Sequence, residues 1–166
     1  MKTLVTLLVF SLLTCVHSVQ AADQKPPAPS HGIAYPQGWQ NWSAIAVSHR
    51  TDNHTLRVVL GNDLAVKAAR AGNTNPWPDG AVLCKIVWKD TELANWKAAT
   101  APGKFVHAEF MFKNSKKYSK TYGWGWARWV GLEQKPFNKG TRVCTSCHTP
   151  VKSRDWVFTE PAIFPQ

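Results

Sequence analysis

The chain has 166 residues, which is the length of one domain and enough to bury a core without disulfides or structural metals. Its formal net charge is +10, from 20 Lys and Arg against 10 Asp and Glu. Because these basic residues are scattered along the chain, the charge argues against a nucleic-acid-binding protein. It favours attraction to acidic partners, such as a soluble electron-transfer protein.

The N-terminal segment has the pattern of a secretory signal peptide. A positive charge at Lys2 precedes the apolar run 4–16, and the small residues Val19 and Ala21 precede an expected cleavage point. We therefore predict that residues 1–21 are a signal peptide and that the protein is exported to the periplasm of a Gram-negative bacterium. The apolar run is too short to span a membrane, so no membrane span is predicted.

The mature chain is predicted to begin with a flexible leader and to continue as one domain. Residues 22–38 are rich in proline and polar residues, which is typical of a leader, and residues 39–166 form the domain. An alanine-rich stretch over 62–72, with Asn62 or Asp63 as its cap, predicts a helix. Alternating apolar residues predict five strands. These strands cover residues 42–50, 55–61, 81–89, 104–113 and 123–131.

Two further short helices are predicted over 91–99 and 114–120. The whole pattern indicates a mainly β (α+β) fold. It consists of an antiparallel β-sheet with a few short helices, and the chain ends in a Cys-x-x-Cys-His motif.

Period-two alternation assigns side chains to the two faces of the predicted strands. In strand 81–89, Lys85 shares a face with Leu83 and Val87, while Cys84 points the other way and is expected to be a small buried hydrophobe. In strand 104–113, one face is expected to hold a mixed set of apolar and ionisable residues. That set is Phe105, His107, Glu109 and Met111.

The sequence CTSCH, residues 144–148, carries the strongest chemical signal. A thioredoxin-like thiol pair would need a βαβ context, and a zinc site would need a second pair of ligands, and neither is present in the pattern. A c-type haem needs two thiols for the porphyrin edge and an adjacent histidine for the iron. We therefore predict haem c, with thioether bonds from Cys144 and Cys147 and with His148 as the iron ligand.

The sixth iron position decides what such a haem does. A methionine or a histidine there would make an electron carrier, whereas an open position would bind a small ligand or catalyse a reaction. Met111 is the only methionine after the signal peptide. The histidines that remain are His31, His49, His54 and His107.

Six segments cover nearly all of the predicted mature chain: YPQGWQNW, LRVVLGND, NPWPDGAVLCKIVWK, FVHAEFMFK, WGWARW and CTSCHTPVKSRDWVFTEP. In these segments the sequence resembles the cytochrome P-460 family, which includes the cytochrome c′-beta proteins. The resemblance implies a mostly β homodimer with a five-coordinate c-type haem.

The resemblance implies one of two chemistries. One branch oxidises hydroxylamine or couples it with nitric oxide, and it has a haem–lysine bond and a distal glutamate. The other branch binds nitric oxide behind a phenylalanine-rich cap. Lys85 matches the linking lysine and Glu109 the distal glutamate, so these two are the candidate catalytic residues.

Residue chemistry supports both matches and leaves plainer alternatives open. A lysine on an apolar strand face is costly unless it is paired, deprotonated or bonded, and desolvation favours a nucleophilic amine. Lys85 could instead lie on an edge strand and point to water. Glu109 among apolar neighbours is expected to have a raised pKa and to accept protons from bound hydroxylamine, unless it is solvated or ion-paired.

Three weaker assignments complete the predicted site. Arg57 could contact a haem propionate or a polar distal ligand, or it could be a surface arginine. His107 could relay protons, although such histidines are more often hydrogen-bonded core residues. A tryptophan-rich strand is expected to pack the core and the haem edge. Its tryptophans are Trp124, Trp126 and Trp129.

Overall fold

A computed structural model describes residues 25–165, so the predicted signal peptide, 1–21, lies outside the described residues. The chain folds into one six-stranded antiparallel sheet whose strands lie side by side in chain order. The strands are β1 (Ser43–Arg50), β2 (Thr55–Gly61), β3 (Val82–Leu93), β4 (Trp96–Lys113), β5 (Trp124–Val130) and β6 (Lys135–Pro136). The helices are α1 (Asp63–Arg70) and α2 (Arg142–His148), with 3-10 segments at Trp39–Asn41, Ser119–Thr121 and Thr149–Arg154.

The predicted fold class is confirmed, and so are the five predicted strands and the helix after β2. The side chain of Asn62 caps α1 by accepting a hydrogen bond from the amide of Ala65 at 3.0 Å. The predicted helix over 91–99 is wrong, because β3 and β4 continue through it as a long hairpin that closes at Leu93 and Trp96. Cross-strand pairing there overrides a weak helical propensity.

The second predicted short helix, over 114–120, is also absent as an α-helix. The segment forms turns and reaches only a 3-10 segment at Ser119–Thr121. Its turn is held by the side chain of Asn114, which accepts from the amide of Lys117 at 2.8 Å. A local side-chain bond of this kind competes with helix formation.

The two faces of the sheet differ in chemistry. The face that carries Leu83, Lys85 and Val87, called the site face, contains charged residues. The opposite face, which carries Cys84 and Ile86 and is called the packed face, is apolar at its centre. Its Cys84 is fully buried, as predicted. The central cross-strand row of the packed face is Val58, Ile86, Ala108 and Trp129.

A bulge changes the predicted face of Phe105. The register between β3 and β4 shifts between Val87 and Trp88, so Trp88 pairs with Phe105 while Val87 pairs with His107. One extra residue on β4 reverses the side-chain alternation beyond it. Phe105 therefore packs on the packed face with Trp88 rather than beside Glu109.

The N-terminal segment covers the packed face. Tyr35 and Trp39 are each 6 % exposed, and the Trp39 indole N–H donates to the Tyr35 hydroxyl at 2.6 Å. Trp129 stacks edge-on against Tyr35 and donates through Nε1 to the carbonyl of Pro27 at 2.9 Å. The described part of the predicted leader, 25–38, thus contacts the sheet, whereas the boundary at residue 39 stays a prediction.

The site face is covered at one end by α1 and by the chain that follows α2. Ala65 and Ala69 of α1 pack in the same cluster as Leu83, Trp126 and Val157. Small alanine side chains allow the helix to lie close to the sheet. The motif helix α2 therefore meets the sheet beside this cluster, where Cys144 packs against it.

Candidate functional site

Three charged side chains meet in one cross-strand row of the site face. Lys85 on β3, Glu109 on β4 and Arg128 on β5 are direct register partners, so their side chains project together. Lys85 Nζ contacts Glu109 Oε2, and a guanidinium nitrogen of Arg128 contacts Glu109 Oε1. His107 Nε2 lies 3.5 Å from the same oxygen, Oε1. We call these four residues the acid–base cluster.

The electrostatics of Glu109 are the reverse of the sequence-based expectation. Its side chain is 17 % exposed. Burial by itself would raise the pKa of Glu109, but the charges of Lys85 and Arg128 outweigh burial and lower the pKa to about 2. The predicted rise in pKa is therefore wrong, and the ion-paired alternative holds. The prediction considered neighbours on the same strand and left out the cations on the adjacent strands.

The plain alternative for Lys85 is also wrong. Its strand, β3, lies between β2 and β4 and is not an edge strand. The Lys85 side chain is 31 % exposed and is ion-paired with Glu109. Pairing is one of the conditions under which an apolar strand face tolerates a lysine.

His107 is half-buried beside the carboxylate of Glu109. Burial lowers the pKa of His107 to about 4, and the Glu109 charge opposes this effect without overcoming it. The imidazole is therefore neutral near pH 7. A neutral imidazole can both donate and accept a hydrogen bond, which suits a proton relay as well as a core position.

Arg57 lies one row away, as the cross-strand neighbour of Val87, whose partner on β4 is His107. Its Nε donates to Thr55 Oγ1 at 3.2 Å. Burial lowers the pKa of Arg57, with a further lowering from the charge of Arg50. Arg57 is thus a half-buried cation on the site face rather than a fully exposed surface arginine.

The motif helix α2 presents Cys144, Cys147 and His148 within little more than one turn. Cys144 and Cys147 are both free thiols, half-buried and exposed respectively. Burial raises the pKa of Cys144, although the Arg128 charge opposes the rise. Spacing of three and four residues along a helix places such side chains on one face. Neither thiol is consumed by a disulfide, so both are available to a bound group.

The imidazole of His148 is oriented by its surroundings. Its Nδ1 lies 2.7 Å from the carbonyl oxygen of Trp156, and because a carbonyl only accepts, Nδ1 carries the proton. The rings of Trp126 and Phe158 stand edge-on to the imidazole at 4.7 and 5.0 Å. Burial lowers the pKa of His148, and the hydrogen bond to Trp156 opposes this. The unprotonated Nε2 is left free to ligate a metal.

The acid–base cluster lies close enough to the motif helix for its charges to affect the residues of that helix. The charges of Glu109 and Lys85 shift the pKa of both Cys144 and His148. Two buried donors on this face, Trp126 Nε1 and Arg128 Nε, have no hydrogen-bond partner within the described chain. Two thiols, an oriented imidazole and unpaired donors on one face fit a covalently held haem.

Other sixth-ligand candidates lie in different surroundings. Met111 is the register partner of Leu83 and Trp126 and packs with the apolar cluster under α1. His49 Nε2 lies 2.7 Å from Asp90, and His54 lies in the turn between β1 and β2. Met111 thus lies on the site face, in the cluster that Cys144 also contacts, whereas His49 is paired with Asp90. His31 lies in a turn of the N-terminal segment.

Sequence reasoning missed two contributors to the site. Arg128 stands in the predicted strand 123–131, and its alternation with Trp124 and Trp126 was a signal that it shares their face. Trp129, grouped with those tryptophans, lies instead on the packed face. The carbonyl of Trp156 could not be found in this way, because a backbone acceptor leaves no mark in side-chain patterns.

The fold and the site together define a β-sheet protein with a haem-type motif helix docked on one face. The Cytochrome P460 family profile matches residues 36–159, and the chain belongs to this family. Membership implies a haem cofactor. Comparison with curated proteins gives no match. In the part of the chain that the structure describes, no helix has the length and apolar character of a membrane span.

Proposed function

We propose that the protein is an exported mono-haem c-type cytochrome that oxidises hydroxylamine or a related nitrogen oxide at an open haem site. Cys144 and Cys147 would hold the haem through thioether bonds, and His148 would bind its iron through Nε2. The bound haem supplies a one-electron acceptor and a coordination site for the small ligand. The contact between Lys85 and Glu109 is the observation that carries the proposal.

Glu109 is placed to take protons from a bound nitrogen ligand. It is ionised at neutral pH, and its pKa of about 2 is low for an efficient base. A bond between Lys85 Nζ and the haem would remove one of the two cations that hold this pKa down. The carboxylate would then become more basic, while Arg128 would keep it oriented.

His107 and Arg57 have supporting parts in this proposal. A neutral His107 beside Glu109 Oε1 can pass a proton from the carboxylate toward solvent. Arg57 is a half-buried cation without a carboxylate partner among its hydrogen bonds in the described chain. It is suited to a haem propionate or to a polar ligand.

The position of the β4 phenylalanines supports the enzyme over the nitric-oxide-binding alternative. A phenylalanine-rich cap built from β4 would need these rings on the site face. Phe105, Phe110 and Phe112 all pack on the packed face instead. The centre of the site face carries Lys85 and Glu109, which are suited to proton transfer.

The proposal is tested with Glu109→Gln, and Glu92→Gln on the exposed hairpin serves as the matched control. Loss of a general base lowers a rate by about 10²–10⁴-fold. We expect hydroxylamine oxidation to fall by such a factor in Glu109→Gln and to persist in Glu92→Gln. Nitric-oxide binding to the ferrous haem should persist in both. Absence of hydroxylamine turnover in the wild type, with tight nitric-oxide binding, would favour a nitric-oxide trap.

One optical spectrum and one peptide-mapping measurement by mass spectrometry complete this test. A six-coordinate low-spin ferrous spectrum would indicate an electron shuttle with Met111 or a histidine on the iron. Peptide mapping should find haem on the 144–148 peptide and, for the oxidising branch, also on the Lys85 peptide. If the haem is bound only through Cys144 and Cys147, Lys85 stays charged, and the proposed rise in the pKa of Glu109 does not occur.

Export and assembly are further parts of the proposal. Cleavage of residues 1–21 would remove Lys2 and leave a net charge of +9, from +10 for the whole chain, which favours an acidic soluble electron-transfer partner in the periplasm. Family resemblance favours a homodimer. The N-terminal sequence of the mature protein should begin near residue 22, and light scattering should give twice the mass of one haem-loaded chain.

A further inference from the structure

A second ionic contact lies on the site face, at the end of the face opposite to His107. Lys113 Nζ lies 2.7 Å from both carboxylate oxygens of Asp155, and the two side chains are 6 % and 10 % exposed. The amide of Trp77 also donates to Asp155 Oδ2, at 2.8 Å. Such a pair is balanced in charge and closely bonded, so it ties the segment after α2 to strand β4.

The backbone at this contact is strained. Asp155 and Trp156 both adopt left-handed conformations, with φ of 49° and 65°. Two successive non-glycine residues of this kind cost about 1 kcal/mol or more each and persist only where surrounding contacts hold them. The contacts here include the ion pair and the indole N–H of Trp124, which donates to the Asp155 carbonyl at 2.8 Å. The amide of Trp156 also donates to the carbonyl of Val151, at 3.1 Å.

The strained backbone aims one carbonyl at the motif histidine. The Trp156 ring stacks on Tyr122, with ring centres 3.9 Å apart. The Trp156 carbonyl oxygen then lies 2.7 Å from His148 Nδ1. The chain of contacts thus runs from Lys113 through Asp155 and Trp156 to the imidazole, with no break.

We propose that the Lys113–Asp155 ion pair positions His148, by holding the Trp156 carbonyl as the acceptor of the Nδ1–H bond. The acceptor selects the tautomer whose Nε2 is free and raises the basicity of that nitrogen. Lys113 and Asp155 are therefore positioning residues that tune the iron ligand without touching it. The inference rests on His148 as the iron ligand, which is part of the proposed function.

A different contact holds the same segment without reaching the imidazole. Asn75 Nδ2 donates to the carbonyl of Ser153 at 2.9 Å, two residues before Asp155. The surface pair of Arg154 and Glu160 lies at 2.8 Å, with the glutamate side chain 79 % exposed. Neither contact involves the Trp156 carbonyl or the imidazole, so Glu160→Gln is a matched control.

The experiment compares haem-loaded wild type, Lys113→Met and Glu160→Gln. The readouts are the iron–histidine stretching frequency of the ferrous haem by resonance Raman and the midpoint potential. Loss of the hydrogen bond makes His148 a weaker donor, so Lys113→Met should lower the frequency and raise the potential. Glu160→Gln should leave both at the wild-type values, and Lys113→Arg, which keeps the ion pair, should restore them.

Wild-type frequency and potential in folded, haem-loaded Lys113→Met would overturn the proposal. If Lys113→Met does not fold, Asp155→Asn serves instead, because it removes the carboxylate charge of the ion pair and keeps the size of the side chain. It should shift both readouts in the same directions, and unchanged readouts would again overturn the proposal. A wild-type spectrum without an iron–histidine band that responds to [15N]histidine labelling would overturn the ligand assignment itself, which is a separate failure.

Discussion

The site face of the sheet carries two ionic clusters of opposite character. Lys113 and Asp155 form one pair with one charge of each sign, and both are almost fully buried. In the acid–base cluster the single carboxylate of Glu109 meets two cations, Lys85 and Arg128. That cluster is more exposed, and Arg128 Nε has no hydrogen-bond partner within the described chain.

The difference separates a structural contact from a reactive one. The charges of Lys113 and Asp155 balance each other, and the two side chains are bonded to each other. The pair is therefore not expected to bind a ligand, and its effect is to hold the backbone in place. An excess of positive charge and an unpaired donor leave capacity for an added group. We therefore expect substitutions at the first pair to act on stability and ligand geometry. Substitutions at the acid–base cluster should act on turnover and on its pH dependence.

The largest expected effect on stability is that of Asp155→Ala. It leaves the Lys113 charge buried without a partner and frees the strained backbone at Trp156. Breaking a buried ion pair from one side costs about 3–5 kcal/mol. Denaturant titration of the haem-loaded protein should show a loss of this size. A loss of the same size in Glu109→Gln would erase the distinction between the two clusters.

Acid should destabilise the acid–base cluster in two steps. The folded-state pKa of His107 is about 4, against 6.5 for an ordinary histidine, so the unfolded chain binds the extra proton first. Stability is then lost as pH falls from about 6.5 to about 4, by roughly 2–3 kcal/mol. The Glu109 contribution is present above its ordinary pKa of 4.5 and is lost as pH falls toward about 2.

Denaturation midpoints measured between pH 8 and pH 3 check this expectation. His107→Gln should shrink the first step, to which His31 and His148 also contribute because burial lowers their pKa values, while the exposed control His54→Gln should retain it in full. A first step that keeps its full size in His107→Gln would show that another group binds the proton.

Arg128→Gln should move the pH dependence of hydroxylamine oxidation. The Arg128 charge is the second-largest influence that holds the pKa of Glu109 down, after that of Lys85. Its removal raises this pKa, so the acid limb of the activity profile should shift to higher pH. Arg142→Gln, an exposed substitution on α2, is the control. An unshifted acid limb in Arg128→Gln would mean that Glu109 is not the group that titrates.

The smallest effect on stability is expected from replacing both members of the buried pair. Lys113→Met with Asp155→Asn removes both charges together and keeps a side-chain oxygen that can accept from the Trp77 amide. Such replacements are often neutral or stabilising. Denaturant titration should therefore find the double variant within about 1.5 kcal/mol of the wild type. If it is as unstable as Asp155→Ala, then shape rather than charge holds the segment.

Much of the fold could be read from local patterns. Alternation assigned Lys85, Cys84 and Glu109 to their faces, because a strand reverses its side-chain direction at every residue. The same rule failed at Phe105, where a bulge adds one residue to β4. A bulge depends on pairing with another strand, so no pattern within 104–113 could reveal it.

The chemistry of the site divides in the same way. The motif CTSCH predicted haem from spacing alone, and the family match at 36–159 bears out the cofactor class. The pKa of Glu109 could not be predicted, because Lys85 and Arg128 come from two other strands. Whether the pKa of Glu109 is raised or lowered depends on the distances between its carboxylate and these cations. Only the register of the sheet sets those distances.

The sequence by itself predicted five of the six strands, the α1 helix, the two faces of β3 and the Cys-x-x-Cys-His motif. These features depend on neighbours a few residues away, so local periodicity and spacing record them. Tertiary structure alone decided which charges meet Glu109 and which carbonyl meets His148. Both contacts join segments distant in sequence, and the backbone carbonyl of Trp156 is the same group in every residue. Its role arises from where the fold holds it.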